Sequence, residues 1–289
     1  MDADPLPGIN TLSKALNRWV EKNPNGEFLG TRVGNKYEWL TYREVQDISK
    51  NLGKGIVAFD MVPGMTDDDG KAWKFMGIMA KNRKEWNLVN HAGMYQGVTT
   101  VAFYDTLSQD ATSFIVNQTE LTTIACSVDM VKKLSKFKVD DAQTDEKNMR
   151  HLAQLIVFEN TIPDEEKKAA EEAGLTLYTF EQVIFKGREA TAEEVEAQPD
   201  DVFMFSYTSG TTGVPKGVML SHRMILGSGS AIGYSCGQGN IPPLGEKDSY
   251  ISYLPAAHSF EQCLIGCSLV LGLKIGFFGG NVLKLTEDA

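Results

Sequence analysis

Residues 203–222 read FMFSYTSGTTGVPKGVMLSH, and this stretch decides how the rest of the 289-residue chain is interpreted. VFMFSY, residues 202–207, is rich in aromatic residues and predicts a strand, and GVML, residues 217–220, is interpreted as a second short strand. Between them lies TSGTTGVPKG, residues 208–217, in which Gly210 and Gly213 allow consecutive backbone N–H groups to converge on an anion. The stretch therefore predicts a phosphate-binding loop that joins two strands.

The candidate phosphate ligands of this loop are hydroxyl, backbone N–H and ammonium groups. They are Thr208, Ser209, Gly210, Thr211, Thr212, Gly213 and Lys216. The loop is not a Walker loop, because that pattern places Gly before the Lys and here Pro215 precedes Lys216. Taken alone, a short GTTG run also fits a flexible hairpin loop with no ligand.

Outward from the loop, predicted strands alternate with predicted helices. The strand segments on the amino-terminal side are 37–41, 73–80, 98–103, 121–127, 155–159 and 175–180. Such alternation predicts an α/β fold with parallel sheets flanked by helices. We expect a helical and hairpin segment at 1–40, a first α/β subdomain at 41–200 and the start of a second at 201–289.

Three helix starts are visible as local patterns. Thr41 is followed three residues later by Glu44, and Asn82 by Glu85, which are capping-box spacings. Ser108 is placed to cap a helix that runs to about residue 117.

Composition and charge narrow the classes of function. Hydrophobic residues make up 42% and charged residues 23%, so the chain is neither disordered nor fibrous. The net charge of −10 makes nucleic acid a poor partner. Residues 202–289 carry five acidic and five basic side chains, together with 14 of the 27 glycines. We therefore expect the ligand site in this neutral, glycine-rich part.

Neither the cysteines nor the apolar runs indicate a metal or a membrane span. The four cysteines contain no CxxC pair, which favours free thiols in a reducing compartment. The longest apolar run, residues 263–273, has eleven uncharged residues, fewer than the roughly 20 needed to cross a bilayer. It predicts a buried helix or strand. The first ten residues lack the pattern of a secretory signal peptide.

About ten contiguous positions at 208–217 resemble the adenylate-forming (AMP-binding) superfamily. Three further segments resemble its long-chain acyl-CoA synthetase branch: YEWLTYREV at 37–45, residues 77–120 with the elements NRKEW and YDTL, and YLPAAHSFEQ at 253–262. The chain resembles only the N-terminal part of such enzymes, so the expected adenylate-forming fold is incomplete. Other branches, such as aryl-CoA ligases and peptide-synthetase adenylation domains, stay open as weaker alternatives.

The sequence departs from the family pattern in several places. Ser108 stands where the family usually has Gly, Ala256 replaces Leu, and Gln262 replaces Arg. The loss of that Arg puts local salt bridging in doubt. The YGxTE and TGD elements and the mobile C-terminal domain are absent from these residues.

The resemblance implies a two-step ligation in which ATP activates a long-chain fatty acid as an acyl-adenylate and coenzyme A then displaces AMP. Thr208 to Lys216 would hold the phosphates of ATP, and Thr208 would also ligate Mg²⁺. His258 would lie at the mouth of the acyl pocket and position the carboxylate; a buried structural histidine is the alternative. His222 is interpreted as a helix-start residue. Residues 276–281 would lie near the nucleotide, or form a simple glycine turn.

The resemblance also carries expectations about partners and location. Fatty acid, ATP and CoA would be substrates. The protein would be intracellular and face the cytosol. Peripheral contact with an endoplasmic reticulum, mitochondrial or peroxisomal membrane is left open. Another protein chain could cover residues 260–289. A truncated, inactive relative that serves as a structural or regulatory subunit is the alternative function. Activity of these 289 residues alone is not expected.

Overall fold

The computed structural model describes residues 7–142, 149–209, 214–237 and 243–288. Its strands are β1 (Glu27–Val33), β2 (Lys36–Thr41), β3 (Gly64–Thr66), β4 (Ala72–Met79), β5 (Thr99–Phe103), β6 (Thr123–Cys126), β7 (Gln154–Val157), β8 (Thr176–Thr179), β9 (Val202–Ser209), β10 (Pro215–Ser221), β11 (Ser249–Ser252) and β12 (Lys274–Phe277). Its helices are α1 (Leu12–Lys22), α2 (Tyr42–Ala58), α3 (Lys84–Gln96), α4 (Gln109–Gln118), α5 (Asp129–Asp141), α6 (Asp164–Glu172), α7 (Phe180–Glu189), α8 (His222–Gly237), α9 (Ser259–Leu271) and α10 (Leu285–Asp288), with a 3₁₀ turn at Val282–Lys284.

The larger sheet has eight strands in the order β10-β9-β5-β4-β6-β7-β8, with β3 paired to the start of β4. All its pairs are parallel except β10 with β9 and β3 with β4. Because parallel strands need crossover connections, helices cover its faces. The predicted α/β class with mostly parallel, helix-flanked sheets is confirmed.

The smaller sheet has four strands in the order β11-β12-β1-β2. β1 pairs antiparallel with β2 and parallel with β12, which lies more than 240 residues later. Sheet membership therefore cuts across the predicted division at residues 40 and 200. The hairpin at 27–41 joins the strands near 249–277, whereas β9 and β10 extend the sheet of the first α/β segment.

Side chains alternate between two cores on the two faces of the larger sheet. Along β4, Met76 and Ile78 face the core shared with α1, α2, α3, α7 and the smaller sheet. Phe75 and Met79 face the second core, which α4, α5 and α6 cover. This alternation is the period-two geometry of a strand buried on both faces.

Two of the three predicted helix caps are confirmed. The Thr41 side chain accepts a hydrogen bond from Glu44 N, and the Glu44 carboxylate accepts one from Thr41 N at 2.7 Å, which completes a capping box at the start of α2. Ser108 caps α4. The third prediction is wrong: the cap of α3 is Arg83, with no side-chain capping bond, and the Asn82 amide bonds elsewhere.

The cysteines are free, as predicted, and the apolar run at 263–273 forms most of the largely buried helix α9. Burial raises the pKa of the Cys126 thiol well above its usual range and that of Cys267 to about 11. Within the described residues, we find no helix that combines the length and apolar character needed to cross a membrane.

Candidate active site

A cleft of about 590 Å³ opens at the carboxyl ends of β5 and β9. It is lined by Tyr104, Thr106, Leu107, Ser108, Ala111, Ile115, Tyr207, Thr208, Pro215 and His258. Ligands of open α/β sheets bind at the carboxyl ends of the strands. The fold thus brings together two predicted site residues, Thr208 and His258, that lie 50 positions apart in the sequence.

The phosphate-loop candidates lie on the hairpin formed by β9 and β10. Lys216 is directly opposite Thr208 in the antiparallel ladder, so their side chains lie on the same face of the hairpin. Both residues are exposed, and Thr208 Oγ1 makes a long contact with the Lys216 carbonyl oxygen at 3.5 Å. The structure leaves both groups accessible to a ligand at this end of the hairpin.

The predicted ligands Gly210, Thr211, Thr212 and Gly213 lie outside the described residues. Ser209 ends β9, opposite Pro215. The predicted strand–loop–strand arrangement is confirmed at both of its ends.

Tyr207 lies beside Thr208 and forms an inner wall of the cleft. Its hydroxyl donates to Gln118 Oε1 at 2.7 Å, and burial raises its pKa to about 12. A Cβ at Gly217 would come within 3.1 Å of the Tyr207 ring, so the ring packs closely against the backbone of β10. This packing ties the hairpin to α4 on the same side of the sheet.

His258 is exposed and is the N-terminal cap of α9, so it is not the buried core histidine that the sequence left open. Its Nδ1 accepts a hydrogen bond from Phe260 N at 3.1 Å. In a neutral imidazole whose Nδ1 is an acceptor, the proton is on Nε2. His258 can therefore offer an N–H donor to an oxygen atom in the cleft.

The segment that carries His258 is held by buried side chains from three elements. Ser206 of β9 donates to the Ala257 carbonyl at 2.7 Å, and Gln262 of α9 donates to the Ala256 carbonyl at 2.7 Å. Asn82 accepts from Ala256 N, also at 2.7 Å. Sequence reasoning missed Ser206 and this role of Asn82, because only the tertiary fold brings them to residues 256 and 257.

Glu261 is a fully buried carboxyl group next to this segment. It accepts hydrogen bonds from Ser252 Oγ at 2.5 Å and from the Tyr250 hydroxyl. Burial raises the pKa of Glu261 to about 7, although both hydrogen bonds act in the opposite direction. No salt bridge to Glu261 is found in the described part of the chain.

Two further predicted positions do not line the cleft, and His222 lies beside Asp201 and Val202 at the opposite end of β9. His222 is the first residue of α8, as predicted; its buried Nδ1 accepts from Leu12 N at 3.2 Å, and burial lowers its pKa to about 4. The glycine-rich segment at 276–281 follows the end of β12, where Phe278 N donates to the Ser252 carbonyl at 3.3 Å. Gly280 has φ +86°, a conformation that favours glycine.

The described residues do not fit a metal site by themselves. Among the described residues, no three His, Cys, Asp or Glu side chains gather closely enough to hold a metal ion. Thr208 would supply one neutral hydroxyl oxygen, whereas Mg²⁺ takes six oxygen ligands and favours carboxylates and phosphates.

Residues 16–288 match the AMP-binding enzyme family. The chain belongs to this family. Its curated relatives include long-chain-fatty-acid–CoA ligase 1 of Cavia porcellus, 31% identical over 97% of this chain and 38% of that protein. Long chain acyl-CoA synthetase 5 of Arabidopsis thaliana is 32% identical over 99% of this chain and 41% of that protein. The chain thus spans about two fifths of the length of these relatives.

Several solved structures share the fold. The A-PCP didomain of carboxylic acid reductase from Segniliparus rugosus, solved with AMP, superposes with a TM-score of 0.77 at 18% identity, over 98% of this chain and 41% of that one. A long-chain-fatty-acid-CoA ligase from Archaeoglobus fulgidus gives a TM-score of 0.69 at 19% identity, over 96% of this chain and 49% of that one. The resemblance to adenylate-forming enzymes, and to long-chain acyl-CoA synthetases among them, is confirmed.

Proposed function

We propose that the protein containing this chain ligates a long-chain fatty acid to coenzyme A through an acyl-adenylate. One observation carries the proposal: Thr208 on the hairpin and His258 at the start of α9 line the same cleft. The similarity to proteins named as long-chain acyl-CoA ligases supports the fatty acid as the substrate.

The chemistry of the cleft suits the first step. A carboxylate oxygen attacks the α-phosphorus of ATP, the bond to the bridging oxygen breaks, and pyrophosphate leaves with its charge. The Lys216 ammonium and the Thr208 hydroxyl would stabilise the negative charge on the departing phosphates. The Nε2–H of His258 would hold a carboxylate oxygen in line with the phosphorus, which is a positioning contribution.

In the second step the thiol of CoA replaces AMP on the acyl group. The sulfur attacks the acyl carbonyl carbon, the thiol proton passes to water, and the bond to AMP breaks, so that AMP leaves as a phosphate anion. The loop at 208–216 is proposed for the phosphates of ATP in the first step only. A role of Thr208 in binding Mg²⁺ stays a prediction that rests on the resemblance.

The proposal extends to partners and location. Long-chain acyl groups partition into bilayers, which favours peripheral membrane contact, and two similar Arabidopsis proteins are named as peroxisomal. The chain proposed over residues 260–289 stays a prediction. Within that range α9 is already packed against α8 and α1, and Phe260 and Leu283 are the exposed large apolar side chains among those that the structure describes there. An inactive structural subunit is not favoured, because the similar proteins carry the names of enzymes.

The proposal is tested by fatty-acid-dependent ATP–pyrophosphate exchange in the full-length gene product. Palmitate should support exchange better than benzoate or acetate. Thr208→Ala and Lys216→Ala should each lower the rate by roughly 100-fold or more, the scale seen when one charge-stabilising group is removed. Lys36→Ala, an exposed lysine of the smaller sheet, is the matched control. Unchanged exchange in both loop variants would refute the assignment of the loop.

A further inference from the structure

Asn82 lies three residues after β4, at the carboxyl end of the larger sheet, and only 8% of its surface is exposed. Its Oδ1 accepts a hydrogen bond from Ala256 N at 2.7 Å. Its Nδ2 donates to Ser252 Oγ at 2.9 Å and to the Leu254 carbonyl at 2.5 Å. All three partners lie 170 to 174 residues later in the sequence, so one side chain joins the two sheets.

The three bonds fall on the segment 252–256, which leads directly to His258. This segment leaves the ladder of the smaller sheet at Ser252 and enters α9 at Ser259. Between those points, one backbone hydrogen bond within the described segment joins His258 N to the Pro255 carbonyl at 2.8 Å. The backbone groups of residues 254 and 256 are instead bonded by side chains. Asn82 is the side chain that contacts it at three places.

An amide suits this task because it carries both a donor and an acceptor. A carboxylate at position 82 would still accept from Ala256 N but would set an acceptor against the Leu254 carbonyl. An aliphatic residue would leave the buried Ala256 N–H and the Leu254 carbonyl without this partner, which costs free energy in a buried site.

We infer that Asn82 is a positioning residue that fixes the segment 252–258 against the carboxyl ends of β4 and β9 and so sets where His258 stands in the cleft. Asn82 does not line the cleft itself. Its effect on the reaction rests on the proposed function, whereas its effect on His258 is a property of the folded chain and is measured without any substrate.

The first test is NMR of the histidine ring signals of a protein labelled at histidine. The chain contains four histidines. His258→Gln assigns the signal of His258. Asn82→Ala should shift or broaden that signal and leave those of the buried His91 and His222 at their wild-type positions. Loss of fold is monitored by the same two buried rings.

Asn87→Ala is the matched control. Asn87 is a buried amide of α3 with no hydrogen-bond partner for either of its polar side-chain atoms among the described residues. It should leave the His258 signal unchanged. An unaltered His258 signal in Asn82→Ala, or the same shift in both variants, would overturn the inference. If Asn82→Ala does not fold, Asn82→Asp, which keeps the acceptor for Ala256 N, must still move the His258 signal.

The second test uses ATP–pyrophosphate exchange in the full-length gene product. Asn82→Ala should raise the KM for the carboxylate roughly 10- to 100-fold, since a misplacement of about 1 Å can cost 100-fold, and leave the KM for ATP within about twofold. An equal rise in both constants would indicate a merely structural role and contradict the inference. Absence of exchange in the wild-type protein would refute the proposed function alone, and the NMR result would then decide on Asn82.

Discussion

The β9–β10 hairpin and the segment from β11 to α9 meet at the same cleft, yet they are held by different means. Thr208 and Lys216 are exposed on the hairpin, where the long contact from Thr208 Oγ1 to the Lys216 carbonyl joins them. The segment around His258 is fastened by the buried side chains of Asn82, Ser206 and Gln262. Substitutions on the hairpin should therefore change ligand binding alone, whereas substitutions near α9 should change stability as well.

The largest expected effect concerns the buried carboxyl group of Glu261. Its pKa of about 7, raised from 4.5 by burial, means that the folded chain binds this proton more tightly than the unfolded chain. The contribution of this group to the free energy of unfolding is present in full below pH 4.5. It is lost as the pH rises through 7, a change of about 3 kcal/mol. Glu261→Gln should remove this loss, as measured by urea unfolding at pH 4.5 and 8. Identical pH slopes in wild type and variant would contradict the prediction.

His222, at the junction of the hairpin with α8, should show the opposite pH dependence. Burial lowers its pKa from 6.5 to about 4, so the unfolded chain takes up this proton first. The contribution of this group to the free energy of unfolding is present in full above pH 6.5. It falls by up to about 3 kcal/mol as the pH drops through 4. His222→Gln should lose less stability than wild type between pH 6.5 and 4. A greater acid sensitivity of the variant in urea unfolding would count against the assignment.

A pair of glycines on α8 tests how closely that helix supports α9. A Cβ at Gly229 would lie 2.5 Å from Cys267 N and 2.6 Å from the Gly266 carbonyl carbon, both backbone atoms of α9. Gly229→Ala should lower the free energy of unfolding by about 1–3 kcal/mol, the usual cost of overpacking.

Gly227→Ala is its control on the same helix, because a Cβ there meets no atom within 4 Å. It should raise the free energy of unfolding by about 0.5–1 kcal/mol, since Ala favours a helix over Gly. Equal effects of the two substitutions in thermal unfolding would show that α8 and α9 are less closely packed than the structure indicates.

The smallest expected effect is on the hairpin. Thr208→Ala and Lys216→Ala should each change the free energy of unfolding by less than about 0.5 kcal/mol, because both residues are exposed. Chemical unfolding of the ligand-free protein measures this directly. A loss above about 1 kcal/mol would show that these side chains support the fold rather than a ligand.

Local patterns predicted the features that neighbouring residues determine. The caps at Thr41 and Ser108, the hairpin at 202–221 and the burial of the run at 263–273 follow from propensity, spacing and apolar runs, whereas the choice between helix and strand for that run stayed open. Asn82 shows the limit of such reasoning. Asn-x-x-Glu matches a capping pattern, but hydrogen bonds to Ser252, Leu254 and Ala256 compete for the same amide, and the tertiary contacts prevail.

Sheet membership was beyond local patterns for the same reason. β1 pairs with β12 across more than 240 residues, and the sequence of neither strand indicates which strand it pairs with. The candidate site was half predicted: Thr208 and His258 stood out through the resemblance, and the fold places both on one cleft. The roles of Ser206, Asn82 and Glu261 could be recognised only from their hydrogen bonds in the folded structure.

The most direct test of a shared cleft is a double-mutant cycle in the full-length gene product. Palmitate-dependent ATP–pyrophosphate exchange is measured for wild type, Thr208→Ala, His258→Ala and the double variant. We expect each single substitution to lower kcat/KM, and the double variant to lose less than the product of the two losses, because both groups act on one transition state. Unchanged exchange in His258→Ala, or losses that multiply fully, would contradict a site built from both sides of the cleft.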